Sequence, residues 1–147
     1  MAIVELRFSA LPEHVRTARL VAAAVARRAG VDEAVLDEVR LAVGEACSRA
    51  VGLHMSHDLD TPVRVALIEE EKKFSIEVGD AAPTASASAH NSSGSAAPAA
   101  KSDEDEAEGE MGLAVISGLV DDVEVTADDK GGLIRMSWPV IPEPVLP

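Results

Sequence analysis

Glu45 and Arg49 stand four residues apart in the stretch Glu38–Val51, EVRLAVGEACSRAV, a pair whose types and spacing could support chemistry. A carboxylate can accept or orient a proton, and a guanidinium can neutralise an anion. Val35, Val39, Ala42, Ala46 and Ala50 recur at helical intervals, with Val43, Cys47 and Val51 widening the stripe, so an amphipathic helix is predicted here. Leu41, Glu45, Ser48, Arg49 and Gly52 share its second face. That face has two readings: an i,i+4 ion pair of Glu45 with Arg49 in solvent, or an acid facing a pocket built against a sheet. A second acid, Asp80, follows an alternating stretch, and Arg16, Arg19, Arg27 and Arg28 form a basic group on an earlier helix. Arg27 and Arg28 also suit the negative end of that helix. His54 and His57 lack a cysteine or further acidic pair at ligand spacing, so no metal site is expected from them.

The elements that must hold these residues follow from periodicity. Ile3–Phe8 alternates and reads as a half-buried strand, ended by Ser9–Pro12. From Glu13 the apolar positions Val15, Ala18, Ala22, Val25 and Ala29 predict a helix that stops at Gly30. Asp32 can cap the second helix, which runs to about Leu53. Val63–Ile68 and Phe74–Val78 form a predicted hairpin around a charged turn. Periodicity is then lost in an Ala-, Ser-, Pro- and Gly-rich segment that ends in the acidic run DEDEAEGE, an expected disordered insert at about 82–108. Met111–Val120 reads as a short apolar helix, and Val123–Thr126 with Leu133–Trp138 as a second hairpin, followed by a Pro-rich tail at 141–147. This order predicts one α+β domain over 1–140, a two-layer sandwich of a mixed or antiparallel sheet with its helices on one face.

Composition narrows the function. A formal net charge of −13 leaves no clustered basic surface for phosphate backbones, so direct nucleic-acid binding is not expected. Aromatic residues make up 2%, so the core must be built from Ala, Val, Leu and Ile. Cys47 is the single cysteine and lies on the apolar stripe, which predicts a buried free thiol and suits a reducing cytoplasm. No stretch has the length and apolarity of a membrane span, and the opening residues lack a secretion signal.

Taken with this element order, FSAL at Phe8–Leu11, Ala18-Arg19, GEACSRAV at Gly44–Val51, VGD at Val78–Asp80, MGLAVI at Met111–Ile116 and LVDDVEV at Leu119–Val125 carry a resemblance. The chain resembles the anti-sigma-factor serine kinases, small bacterial members of the ATPase superfamily shared with gyrase and histidine kinases. The resemblance implies a homodimer that sequesters an RNA polymerase sigma factor and phosphorylates a serine of an anti-anti-sigma protein of the STAS-domain type. It also implies ATP with magnesium, held between the helix bearing Glu45 and the sheet.

By the same resemblance, Glu45 corresponds to the general base and Asp80 to the acid that accepts a hydrogen bond from the adenine amino group. Met111 and Gly112 open the last helix, where free N–H groups would hold phosphate. Arg19 matches an arginine that contacts both protein partners, with Arg16 beside it. Four residues beyond Glu45 the family carries a magnesium-binding Asn, and here Arg49 stands, a donor with no acceptor. Arg49 would then neutralise Glu45 or sit on a phosphate without metal. Ala81, Ala82 and Glu110 replace glycines, and Glu108 falls where a cation would meet the γ-phosphate. Two like charges at ~5 Å repel by roughly 3 kcal/mol at an effective dielectric of 20. Gly131 and Gly132 resemble the family's late Gly-Thr but equally suit a hairpin turn. The pattern reads as a pseudokinase, a regulatory binding protein with weak or no ATP use. Its rival is an active ATP-dependent serine kinase.

Overall fold

The computed structural model describes residues 2–83, 113–120 and 122–140. The expected acidic insert, apart from its first two residues, and the Pro-rich tail lie outside the described residues. Strand β1 (Ala2–Phe8) leads into helix α1 (Pro12–Ala29), a 3₁₀ turn (Glu33–Val35) and helix α2 (Leu36–Ser56). Strands β2 (Val63–Glu69) and β3 (Lys73–Asp80) form the first hairpin. Residues 113–119 are helical and are labelled α3, and β4 (Asp122–Asp128) and β5 (Gly131–Pro139) form the second hairpin. The five strands make one sheet in the order β1-β2-β3-β5-β4. Every neighbouring pair is antiparallel, so of the two expected sheet types the antiparallel one is found.

Local chemistry explains where the helices begin and end. Pro12 occupies the first turn of α1, where its missing N–H costs nothing. At the other end Gly30 is left-handed (φ 105°), and Gly30 N–H donates to Arg27 O while Val31 N–H donates to Ala26 O. That is a Schellman stop, which satisfies two carbonyls that the helix leaves orphaned. Asp32 caps the 3₁₀ turn and not α2 itself, its carboxylate accepting from Ala34 N–H at 3.2 Å. The intervening turn lets the chain reverse before α2 starts one residue after Val35.

Periodicity then determines the core. Val15, Ala18, Ala22 and Ala26 of α1 are buried, as are Val39, Ala42, Val43, Ala46, Cys47, Ala50 and Val51 of α2. They meet Val63, Val65 and Leu67 of β2, Phe74, Ile76 and Val78 of β3, and Ile134, Met136 and Trp138 of β5. Ile116 of α3 joins the same core. Phe74 and Trp138 are register partners on the inner strands β3 and β5, while Phe8 ends the edge strand β1. The opposite sheet face has no helix across it among the described residues, and Ser75 and Ser137 share a hydrogen bond there at 2.8 Å.

The path of the helices brings the chemistry to one end of the sheet. Phe8 pairs with Val63, and Asp80 pairs with Gly132, so all four lie at the same end. Helix α1 leaves from that end and reaches the other, where Arg28 bridges to Glu69 at 2.5 Å. Helix α2 returns, and its last turns arrive beside Asp80. Among the described residues, no helix is long and apolar enough to cross a membrane.

Cys47 is fully buried, and burial pushes its thiol up from 9.0 to about 12. The unfolded chain releases this proton at lower pH than the folded chain. The stability that comes from keeping the thiol protonated is therefore fully present below pH 9.0 and is lost as pH rises toward about 12. Denaturant melts of the wild type should lose stability across that window, and Cys47→Ala should flatten the slope. At neutral pH a thiol reagent should label Cys47 only in denaturant; labelling of the native protein would contradict its enclosure.

Candidate functional site

Helix α2 carries Glu45 and Arg49 on the face away from its apolar stripe, and both are half-buried. They form no ion pair with each other, and no carboxylate among the described residues lies within 4 Å of Arg49. The expected Glu45–Arg49 pair is therefore not formed. At partial exposure the Coulomb gain of such a pair is small beside the entropy of holding two long side chains in one geometry.

Gly44, next to Glu45, meets the side chain of Arg19. A Cβ built on Gly44 would lie 2.6 Å from Arg19 Cδ, so the arginine stem rests on α2 where a side chain is missing. The sequence separates Arg19 and Glu45 by a whole helix, and the structure brings them to neighbouring positions. The basic group of α1 also divides. Arg27 pairs with Glu33 at 3.3 Å and Arg28 with Glu69, whereas Arg16 and Arg19 are exposed and have no carboxylate within 4 Å among the described residues.

Asp80 is the last residue of β3 and is held with care. Its Oδ1 accepts hydrogen bonds from Ala82 N–H at 2.9 Å and Gly132 N–H at 3.2 Å, which leaves Oδ2 without a donor among the described residues. Gly131 has φ 149°, and a Cβ there would come within 2.0 Å of the Asp80 carbonyl oxygen. The turn itself is made by Asp129 and Lys130, with Asp128 accepting from the N–H groups of Lys130 and Gly131. The glycine pair thus serves close approach to Asp80, where the sequence allowed an ordinary hairpin turn. Nothing in the sequence separates the two uses, because DDKGG already contains a sufficient turn.

Sequence reasoning also passed over His54, considered only as a metal ligand. It is fully buried, its Nδ1 bonds Thr61 O at 2.9 Å, and its Nε2 bonds Ala81 N at 2.9 Å. A signal did exist. His54 lies three residues after Val51 and four after Ala50, on the continuation of the buried stripe. Ala82, at the expected start of the insert, is likewise fully buried. Met111 and Gly112 lie outside the described residues.

A cleft of about 630 Å³ is lined by Arg7, Arg64, Gly79, Asp80, Lys130 and Gly132, among others. Arg7, Arg64 and Gly79 are successive register partners that alternate with core positions, so the cleft opens on the face away from the helices. It reaches Asp80 from that side and includes neither Glu45 nor Arg49. Cleft size is accordingly a poor guide to the chemistry here, and the geometry around Asp80 is the better one.

A family model for the histidine kinase-like ATPase domain matches residues 8–138, almost the whole described chain. The chain belongs to that family. Among similar proteins of this family are the serine-protein kinases RsbW of Bacillus pumilus, 29% identical over 86% of this chain and 79% of that protein, and of Listeria monocytogenes, 25% identical over 92% and 86%. The RsbW of Bacillus subtilis is 25% identical over 83% of this chain and 76% of its own. The crystal structure of the RsbU and RsbW domains of a Mycobacterium tuberculosis protein has the same fold, with a TM-score of 0.66 at 15% identity. That likeness covers 95% of this chain and 32% of the longer one.

This family uses ATP, so the residues must be tested against nucleotide and metal. Magnesium takes oxygen ligands, and the position four residues after Glu45 offers a guanidinium. The donor set around Glu45 does not fit the ion. At the Asp80 end one carboxylate oxygen is fixed by two backbone N–H groups and the other has no donor among the described residues, an acceptor that would suit an amino group such as adenine's.

Two glycine substitutions separate these constraints from ordinary propensity. Gly131→Ala should cost at least about 2 kcal/mol in urea melts, since it adds positive-φ strain to a backbone clash. Gly52→Ala, on an exposed position of α2 with nothing within 4 Å, should gain about 0.5–1 kcal/mol. A neutral Gly131→Ala would remove the close approach to Asp80.

Proposed function

We propose that this protein is a regulatory protein of the anti-sigma class. It binds a sigma factor, an anti-anti-sigma protein of the STAS-domain type, or both in exchange, with weak or no ATP use. The observation that carries this reading is the seat of Arg19 on Gly44. With Arg16 beside it, Arg19 forms an exposed cationic face with no carboxylate within 4 Å among the described residues, on a chain of net charge −13. A basic face on an acidic protein selects acidic partners, and acts more on association rate and specificity than on total affinity. The similarity to serine-protein kinases RsbW at 25–29% identity supports the same class of partner. In this reading the protein is a cytoplasmic homodimer, and 1–140 is one ATPase-type domain interrupted by the acidic segment.

Arg49 is the reason for assigning weak ATP use. Phosphoryl transfer depends on a metal that bridges the phosphates, and a guanidinium in place of a metal ligand leaves Glu45 without that partner. A specific observation favours the second reading, an active serine kinase with Glu45 as general base: the Asp80 end is built as a nucleotide anchor would be.

Two measurements separate these readings. Arg19→Glu should abolish recovery of a sigma factor or STAS-domain protein with a tagged copy from native cells, at unchanged melting temperature. Retained recovery would remove the partner face. Millimolar Mg-ATP should leave the melting temperature nearly unchanged, whereas a shift of several degrees with labelled phosphate on a partner serine would establish the kinase.

A further inference from the structure

We infer that His54 is a positioning residue, a neutral imidazole that ties the last turn of α2 to the exit of β3 and so holds Asp80 toward an adenine-type ligand. The ligand part of this inference rests on the reading of Asp80 given above, while the tie itself rests on geometry alone. Ala81 N–H can only donate, so Nε2 must be the acceptor and carries no proton. Thr61 O can only accept, so Nδ1 must be the donor. The two partners together select one state of the ring, the neutral Nδ1–H tautomer. The ring is fully enclosed, and no water bridge is needed to complete either bond.

The consequence passes along the backbone. Ala81 follows Asp80 directly, and Ala82 N–H in turn binds Asp80 Oδ1. Three successive residues therefore share one network: Asp80 is fixed by Ala82 and Gly132, and the peptide between them is fixed by His54. Without the imidazole acceptor, the Ala81 N–H would be a part-buried donor with no partner, and the turn would shift to find one. The titratable groups on the segments that meet here are His57, Asp58 and Asp60 on the connection that follows α2, and Asp80. A proton added to Nε2 would set two donors against each other and break the tie.

Side-chain geometry supplies the test. Gln places an amide atom at the position of Nε2, and its oxygen can accept from Ala81. Asn reaches only the position of Nδ1, so it can donate to Thr61 and leaves Ala81 unbonded. Long-range proton–nitrogen spectra of the wild type at about pH 8 should show His54 as the Nδ1–H tautomer, and amide exchange should show Ala81 protected. At pH 8, His54→Asn should speed Ala81 exchange about tenfold or more, the size of one lost hydrogen bond, while His54→Gln keeps most of the protection. An Nε2–H tautomer, or equal loss in both variants, would overturn the inference. The spectra need no variant, so a misfolded mutant does not remove the test.

The ligand part is read separately with adenosine, which carries the adenine ring and none of the phosphates that the proposed function leaves weakly held. A melting shift in the wild type that survives in His54→Gln and is lost in His54→Asn supports the positioning role. No shift in the wild type would overturn the reading of Asp80 and its dependent role for His54, while the exchange data still decide the tie.

Discussion

Ala42, Ala46 and Ala50 are buried on α2 with no more than a methyl group each, and the close packing of this helix in the core is the constraint on which the site depends. Small residues on the matching face of α1, Ala18, Ala22 and Ala26, allow the two helices to share one layer. A larger side chain at any of these positions would push a helix outward at a typical cost of about 1–3 kcal/mol. A displaced α2 would also pull His54 away from Ala81, because the imidazole bridges that helix to the exit of β3. Packing and chemistry are thus linked through distance, with no ion pair required at the junction.

Charge at the site divides in the same way. The end held by Asp80 relies on backbone N–H groups and glycines, which are indifferent to net charge. The part that would meet phosphates relies on side-chain charges, and there the chain offers Arg49 on α2 and a strongly acidic sequence before Met111. A fold can keep its base-recognition geometry while its phosphate chemistry drifts, since the two are carried by different kinds of group. Arg16 and Arg19 belong to neither, and their exposure on α1 is compatible with a role outside the pocket.

The element order, the antiparallel hairpins, the buried Cys47 and the Gly30 stop were legible because each rests on local pattern: periods of 3.6 and 2, a small left-handed residue, an apolar stripe. Family membership was legible from short motifs in order. The roles of His54 and Gly131 were not. Each depends on a contact with Asp80 or its neighbour Ala81, 27 residues away in the case of His54, and local spacing contains no information about such pairs. The Glu45–Arg49 pair failed for the opposite reason: spacing permits it, but proximity alone does not overcome side-chain entropy at a half-open surface. Asp32 lies between the two cases, right as a cap and displaced by one short turn.

Trp138 is the only tryptophan, and the chain has no tyrosine. The indole is 3% exposed and stands opposite Phe74, at the far end of β5 from Gly132. Six residues of strand place it roughly 20 Å from the Asp80 junction. Its emission is therefore an intrinsic optical gauge of the sheet interior, free of tyrosine and of other tryptophans and remote from Asp80 along the strand. A binding event at Asp80 would leave the emission wavelength nearly constant, whereas loss of the core would shift it to the red.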